Sequence, residues 1–159
     1  MNIFWFRRDL RIHDNAGLYH ALKAGLPVLP IFIFDRNILD KLDDKRDRRV
    51  EFIHLALTQI QQQIANYGSS LEVFYGLPGQ IFEGLSKRFS IANVYTNSDY
   101  EPYAGERDAE IEALLLKKGI GFHSFKDQVI FEKNEVVKDD GRPYTVFTPY
   151  SRKWKINLN

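Results

Sequence analysis

Short apolar runs alternate with longer amphipathic stretches along almost the whole chain, and this pattern predicts alternating strands and helices. The apolar runs predict five buried strands, at residues 3–6, 28–34, 71–75, 93–96 and 121–125. Pro30 lies inside the second run and removes one donor from the ladder, so a bulge or an irregular start is open there.

Between the strands, apolar residues recur at helical spacing. Asp14 or Asn15 can cap a first helix that Gly25 closes, and another helix opens at Pro78. The clearest helix has apolar residues at Val50, Ile53, Leu57, Ile60 and Ile64 and ends at Gly68. A long helix is predicted from about residue 103 to residue 118, before Gly119.

Strands separated by helices imply right-handed crossovers and a parallel sheet with helices on both faces. We therefore predict an α/β fold, a Rossmann-like doubly wound five-stranded sheet in the order 3-2-1-4-5. Beyond the fifth strand, residues 136–137 and 144–146 flank an Asp-Asp-Gly turn, which predicts a β-hairpin. The predicted domain spans residues 1–147, and residues 148–159 are predicted to begin a linker.

Composition narrows the class of protein. The 159 residues suit one domain, and 22 Lys and Arg against 21 Asp and Glu give a net charge of +1. This balance argues against a strongly basic nucleic-acid binder, and the lack of cysteine excludes disulfides, thiolate metal sites and a cysteine nucleophile. The sequence contains no apolar run long enough for a transmembrane helix and no basic start of a signal peptide. We therefore expect a cytoplasmic protein without membrane attachment.

Polar side chains follow three of the predicted strands, where ligands of open parallel sheets bind. These side chains are Arg7, Arg8, Asp9, Asp35, Arg36, Asn97, Asp99 and Glu101. Ordinary solvated loops would also be polar. Neither GxGxxG nor a P-loop is present, which argues against a dinucleotide or P-loop enzyme. Asp99 and Glu101 could form an acid/base pair, but a ligand-positioning or salt-bridge role with Arg49 and Arg107 is favoured.

Several motifs resemble the DNA photolyase/cryptochrome family in order and spacing. The opening FWFRRDLRIHDN at residues 4–15 is the most specific of them, and FIFD follows at residues 32–35. RRVEF at residues 48–52, DYEPYAGERD at residues 99–108 and GRPYTVFTPY at residues 141–150 complete the set. Together these stretches are spread over nearly the whole chain, from residue 4 to residue 150.

The resemblance implies a two-domain flavoprotein of which this chain is the amino-terminal antenna domain. In such photolyases a second, helical domain binds FAD and contacts UV-damaged DNA, and light drives the splitting of cyclobutane pyrimidine dimers. By this interpretation the chain captures light, carries no catalytic residue, needs no metal and is not an active lyase alone. A monomer is expected.

The resemblance also implies a binding site for the antenna chromophore. Its predicted residues are Ile33, Phe34, Asp35, Arg49, Asp99, Glu101 and Arg107. A deazaflavin is the first choice and FMN or FAD the second. Methenyltetrahydrofolate is third, because folate-using members have an Asn-Glu pair where this chain has Tyr103 and Ala104. The structural alternative is that Arg49 and Arg107 merely pair with Asp35, Asp99 or Asp108.

Two other functions stay open at the sequence level. One is a cryptochrome-type blue-light photoreceptor, which the amino-terminal domain does not distinguish from a photolyase. The other is a stand-alone nucleotide-binding domain of the electron-transfer-flavoprotein or universal-stress type, which would explain the fold without the photolyase-like motifs.

Overall fold

The computed structural model describes residues 1–44 and 46–158. Five strands form the sheet: β1 (Asn2–Phe6), β2 (Val28–Asp35), β3 (Glu72–Gly76), β4 (Asn93–Asn97) and β5 (Gly121–Phe125). The α-helices are α1 (Ala16–Lys23), α2 (Arg36–Leu39), α3 (Arg48–Ala65), α4 (Pro78–Arg88), α5 (Pro102–Leu116) and α6 (Phe147–Leu158). None of the helices in this described part is both long and apolar enough to cross a bilayer.

The sheet confirms the predicted fold. Its strands are all parallel and lie in the order β3-β2-β1-β4-β5. Pro30 stands opposite Phe4 in an unbroken β1–β2 register, so the proline causes no bulge. The short helix α2 was not predicted, whereas the other helices of the sheet domain lie within a few residues of their predicted bounds.

The alternation of side chains along β1 divides the core between the two faces of the sheet. Ile3 and Trp5 pack with α4 and α5 on one face, and Phe4 and Phe6 pack with α1 and α3 on the other. Residues of β1 are buried on both faces, as is usual for the central strand of a parallel sheet covered by helices.

The strand order reverses between β1 and β4, and this point opens a crevice at the carboxyl edge of the sheet. The β1–β2 register continues to Phe6, but the β1–β4 register runs only from Asn2 to Phe4. Beyond it, the hydroxyl of Thr96 donates a hydrogen bond to the carbonyl oxygen of Trp5 across 3.0 Å. The loops after β1, β2 and β4 therefore surround a gap in which side chains can meet a ligand.

The described chain forms two compact units, residues 1–128 and residues 129–159. In the second unit the predicted hairpin is wrong. The Asp-Asp-Gly turn forms, with a hydrogen bond from the Lys138 amide to the Arg142 carbonyl, but no described residue on either side is in a strand. Pro143 explains this, because it follows Arg142 directly and has no amide hydrogen to extend a ladder.

The second unit also contains α6, which covers most of the predicted linker, and a short 3-10 helix (Lys133–Glu135). Trp154 of α6 packs edge-to-face on Phe131, with ring centroids 5.6 Å apart. The domain boundary between residues 147 and 148 remains a prediction.

Candidate ligand-binding site

The loop after β1 is held by a buried network of polar side chains rather than by a ligand. Asp9, Asn15 and Asn97 are each at least nine-tenths buried. The Asn97 amide donates to Oδ2 of Asp9 across 2.5 Å and to Oδ1 of Asn15 across 2.9 Å. The Arg7 backbone amide donates to Oδ1 of Asp9 across 2.8 Å. The Asp and Asn residues of the opening motif therefore shape this loop.

Side chains also occupy the amino terminus of α1, where many nucleotide-binding folds hold a phosphate. The amide of Ala16 donates to Asp127 across 3.0 Å, that of Gly17 to Asn97 across 2.7 Å and that of Leu18 to Asn15 across 3.0 Å. Because these donors are already used, a phosphate would have to displace a built-in carboxylate or amide. This arrangement disfavours the stand-alone nucleotide-binding domain.

A cavity of about 350 Å³ lies at the carboxyl edge of the sheet, and we call it the edge cavity. All seven residues that the sequence predicted for the chromophore site line it, namely Ile33, Phe34, Asp35, Arg49, Asp99, Glu101 and Arg107. They come from β2, α3, α5 and the loop between β4 and α5. The fold thus brings together residues that are up to 74 positions apart, from Ile33 to Arg107.

Further lining residues were not among the predicted ones. Trp5, Arg8, Ile38, Leu39, Ile53 and Tyr103 also line the edge cavity. Ile53 was recognised only as part of the α3 helical pattern, and Ile38 and Leu39 belong to the unpredicted helix α2. These apolar side chains give the cavity an aliphatic and aromatic wall beside its charged rim.

Tyr103 and Asp35 join two sides of the cavity. The Tyr103 hydroxyl donates a hydrogen bond to Oδ2 of Asp35 across 2.5 Å, and Oδ1 of Asp35 accepts the Asn37 amide across 3.0 Å at the start of α2. Desolvation, together with the hydrogen bond to the Asp35 carboxylate, raises the pKa of Tyr103 to about 12. Asp35 is therefore a buried acceptor that serves as the α2 cap and already has a phenolic partner.

The acidic rim of the cavity pairs with Arg8. Nη1 of Arg8 lies 2.5 Å from Oε1 of Glu101 and 3.7 Å from Oδ2 of Asp99. The hydrogen bond with Glu101 raises the pKa of Arg8 above its ordinary value. The sequence had offered Arg49 and Arg107 as partners of this acidic pair, and that prediction is wrong, because the β1–α1 loop brings Arg8 closer.

Arg49 has a local partner at the start of α3. Its Nε donates to both carboxylate oxygens of Asp47, across 2.9 and 3.0 Å, and Asp47 also caps the helix by accepting the Arg49 amide. These hydrogen bonds lower the pKa of Asp47 to about 2. Arg49 thus uses none of the structural partners Asp35, Asp99 and Asp108 that the sequence offered as an alternative, and its exposed guanidinium remains beside the edge cavity. For Arg107 that alternative is confirmed, because Arg107 pairs with Asp108.

Arg107 and Arg7 form the charged floor of the cavity with one shared carboxylate. Nη1 of Arg7 lies 2.5 Å from Oδ1 of Asp108, and Nη2 of Arg107 lies 3.1 Å from the same oxygen. Arg7 also donates to the Asn97 carbonyl. Burial lowers the pKa of Arg7, and the nearby positive charge of Arg107 acts in the same direction. Two guanidinium groups thus face a single carboxylate.

A second cavity of about 400 Å³ continues the edge cavity past Arg49. The two cavities share Arg7, Arg8, Arg49 and Ile53. The second is bordered by the exposed ring of Phe52. A ligand longer than one ring system could therefore extend along α3.

Three more residues of the opening motif were not among the predicted site residues. His13 is exposed and lines a separate cavity beside α1 rather than the edge cavity. Arg11 ties the loop after β1 to the loop after β5 through an ion pair of 2.8 Å with Asp127. Trp5 is buried in the core and also lines the edge cavity.

Comparison with known proteins gives a consistent result. The DNA photolyase family model matches residues 2–159. A deoxyribodipyrimidine photo-lyase from Synechococcus sp. is 32% identical over 153 residues, which are 96% of this chain and 31% of the relative.

Two solved structures are similar as well. A bacterial class III photolyase from Agrobacterium tumefaciens superposes with a TM-score of 0.85 at 26% identity, covering 99% of this chain and 31% of that one. An archaeal photolyase from Sulfolobus tokodaii has a TM-score of 0.73 at 33% identity, over 83% of this chain and 32% of that one. That protein was solved with two FAD molecules, which implied a novel light-harvesting cofactor in it. The chain spans about a third of the length of these relatives.

Proposed function

The chain belongs to the DNA photolyase family, and we propose that its edge cavity binds a flat light-harvesting chromophore. Such a group absorbs light and passes the excitation energy to a catalytic FAD. The observation that carries the proposal is the convergence of all seven predicted residues on one cavity. A role in light capture also fits the net charge of +1. DNA binding needs a positively charged surface, and in this role that surface need not lie in this chain.

The cavity has the size and chemistry for a heteroaromatic ring. Its volume of about 350 Å³ falls within the range of roughly 300–1,000 Å³ that is usual for small-molecule sites. Phe34 and Ile38 offer apolar faces to a ring, and Asp99 and Glu101 are acceptors for hydroxyl or ring N–H groups. Arg49 is a planar donor for carbonyl or phosphate oxygens.

We propose a deazaflavin as the first choice and FMN or FAD as the second, with methenyltetrahydrofolate third. The Sulfolobus tokodaii relative with two FAD molecules supports a ring of the flavin type. Tyr103 stands where folate-using members have Asn, and its hydrogen bond to Asp35 keeps it in the cavity wall. A tricyclic ring can lie along this wall. A folate would lack a polar partner, because Tyr103 and Ala104 stand where folate-using members have the Asn-Glu pair.

We propose that the whole enzyme splits cyclobutane pyrimidine dimers in UV-damaged DNA, and the name deoxyribodipyrimidine photo-lyase of the Synechococcus relative supports a light-driven lyase that acts on pyrimidine pairs. FAD binding, DNA contact and bond cleavage would then belong to other parts of the protein, and this chain alone would be inactive as a lyase. A cryptochrome-type photoreceptor would use the same cavity for the same light-capture step.

The proposal is tested by adding FMN, a deazaflavin and methenyltetrahydrofolate separately to the purified chain. Binding is followed by equilibrium dialysis and by the absorbance of the bound ring. The variant Arg49→Met/Glu101→Gln removes a donor and a charged acceptor, so affinity for the preferred ring should fall at least about tenfold. Arg142→Met/Glu112→Gln is the matched control, because Arg142 pairs with Asp140 as Arg49 pairs with Asp47, and neither Arg142 nor Glu112 is among the residues that line the edge cavity.

The outcomes separate the parts of the proposal. The proposal is supported if a deazaflavin or flavin binds tightly to the parent chain and to the control variant but more weakly to Arg49→Met/Glu101→Gln. Preferential binding of the folate would overturn the ring class, and failure of all three rings to bind would overturn the function of the cavity.

A further inference from the structure

Two cations stand against Trp5 in the floor of the edge cavity. The guanidinium carbon of Arg107 lies 4.9 Å from the centroid of the indole, and that of Arg7 lies 5.3 Å from it. Trp5 is 2% exposed and also lines the edge cavity.

An indole beside an excited ring is a hazard for light harvesting. The indole can give up one electron, and the ring gains that electron, so the excitation is lost before it can be passed on. The reverse transfer then restores both partners with no useful result. A chromophore site that contains a tryptophan must therefore make this transfer unfavourable or lose its light.

We propose that Arg7 and Arg107 prevent Trp5 from donating an electron to the excited chromophore. This inference rests on the proposed light-harvesting function. A cation is attracted to the face of a neutral indole but repels the positive charge that oxidation would leave on it. Burial strengthens this repulsion, because little water can screen it. Asp108 contacts both guanidinium groups, and the buried Asp9 carboxylate also acts on Arg7, but the two cations themselves lie over the Trp5 ring, at 4.9 and 5.3 Å from its centroid.

Tyr103 is the other oxidisable side chain in the cavity wall, and it must be considered as a donor. Its hydroxyl already donates to Asp35, which could take up the proton that an oxidised phenol loses. The guanidinium of Arg107 lies 5.7 Å from the Tyr103 ring as well. Arg107 therefore opposes oxidation of both rings, and the experiment has to distinguish them.

The test uses FMN as the probe and the Trp154→Phe chain, in which Trp5 is the one tryptophan left of two. Bound FMN is excited, its fluorescence lifetime is measured, and transient absorption records any tryptophan radical. Arg107→Met should shorten the lifetime about fivefold or more and produce the radical. Arg107→Lys, which keeps the charge, should restore most of the lifetime. Adding Trp5→Phe to Arg107→Met should also restore it.

Arg88→Met is the matched control, because Arg88 lies over the Phe89 ring at 5.0 Å and does not line the edge cavity. Its lifetime should equal that of the parent chain. The parent chain is a test by itself. If excitation of bound FMN formed a tryptophan radical in the parent chain, the inference would be overturned.

The remaining outcomes are distinct from a failure of the proposed function. If FMN binds with equal lifetimes in the parent chain and in Arg107→Met, the inference is overturned and the binding function stands. If Tyr103→Phe rather than Trp5→Phe restores the lifetime, the protected residue is Tyr103 and the assignment to Trp5 is overturned. If dialysis finds none of the three rings bound to the parent chain, the proposed function and the inference fall together.

Discussion

Tyr103 and Asp35 are joined by a hydrogen bond of 2.5 Å between the phenolic hydroxyl and Oδ2 of the carboxylate. This contact connects the first turn of α5 with the end of β2, through two residues that are 68 positions apart along the chain. Asp35 is 5% exposed, so its carboxylate relies on hydrogen bonds from neighbouring residues rather than from water. The pair therefore couples the shape of the edge cavity to the stability of the sheet.

Tyr103→Phe should lower the free energy of unfolding by about 1–2 kcal/mol, because the buried Asp35 carboxylate loses a charge-assisted hydrogen bond while its bond to the Asn37 amide remains. Urea denaturation measures the difference. Tyr67→Phe is the control, since Tyr67 is highly exposed and should change stability by no more than roughly 0.5 kcal/mol. Equal stability of the two variants would contradict a structural role for the Tyr103–Asp35 bond.

The same pair predicts a pH dependence on the alkaline side. The pKa of Tyr103 is about 12 in the folded chain, above its ordinary value of 10.0. A raised pKa means that the stabilising contribution is complete below pH 10.0 and is lost as the pH rises toward 12. The stability advantage of the parent chain over Tyr103→Phe should therefore shrink across this range. Tyr67→Phe should follow the parent chain at every pH, and a constant advantage of the parent over Tyr103→Phe would contradict the assignment.

Arg7 and Arg8 are neighbours that should differ sharply in their effect on stability. The Arg7 side chain is 6% exposed and pairs with Asp108, whereas Arg8 and Glu101 are each more than half exposed. Arg7→Met should cost about 3 kcal/mol, because it breaks a buried ion pair and leaves the Asn97 carbonyl without this donor. Arg8→Met should cost less than about 1 kcal/mol, because exposed ion pairs contribute little. Chemical denaturation of both variants in one buffer measures whether Arg7→Met loses more stability than Arg8→Met. Equal losses of stability would contradict the prediction.

Much of the fold was predictable because local patterns determine it. Runs such as residues 28–34 are apolar throughout, which requires cover on both faces, and the intervening helices supply that cover. The seven site residues came from motifs, and the fold then placed them around one cavity.

The ion pairs were not predictable, because they depend on distances between loops that no periodicity encodes. Arg7 and Arg8 cannot be told apart in the sequence, yet one is in the core and the other is at the rim. Arg49 found its partner two residues away in Asp47, since the helix cap places that carboxylate beside its guanidinium. The failed hairpin has a similar origin, because a turn signal says nothing about whether the flanking residues can pair.

Gly17 provides a last test, of how closely α1 must approach the sheet. A Cβ atom added there would lie 2.8 Å from Oδ1 of Asn97, 2.9 Å from Cε2 of Phe4 and 3.0 Å from the carbonyl oxygen of Thr96. Such contacts cannot be relieved by one flexible side chain, since Phe4 is in the core and Asn97 holds the buried network with Asp9 and Asn15.

Gly17→Ala should therefore lower the free energy of unfolding by about 1–3 kcal/mol, despite the better helix propensity of alanine. Gly84→Ala is the matched control in α4, where an added Cβ meets nothing within 4 Å, and it should raise the free energy of unfolding by about 0.5–1 kcal/mol. Urea denaturation of both variants gives the comparison. If Gly17→Ala were as stabilising as Gly84→Ala, α1 would have room to move outward, and the close approach of Gly17 to Phe4, Thr96 and Asn97 would not be required for stability.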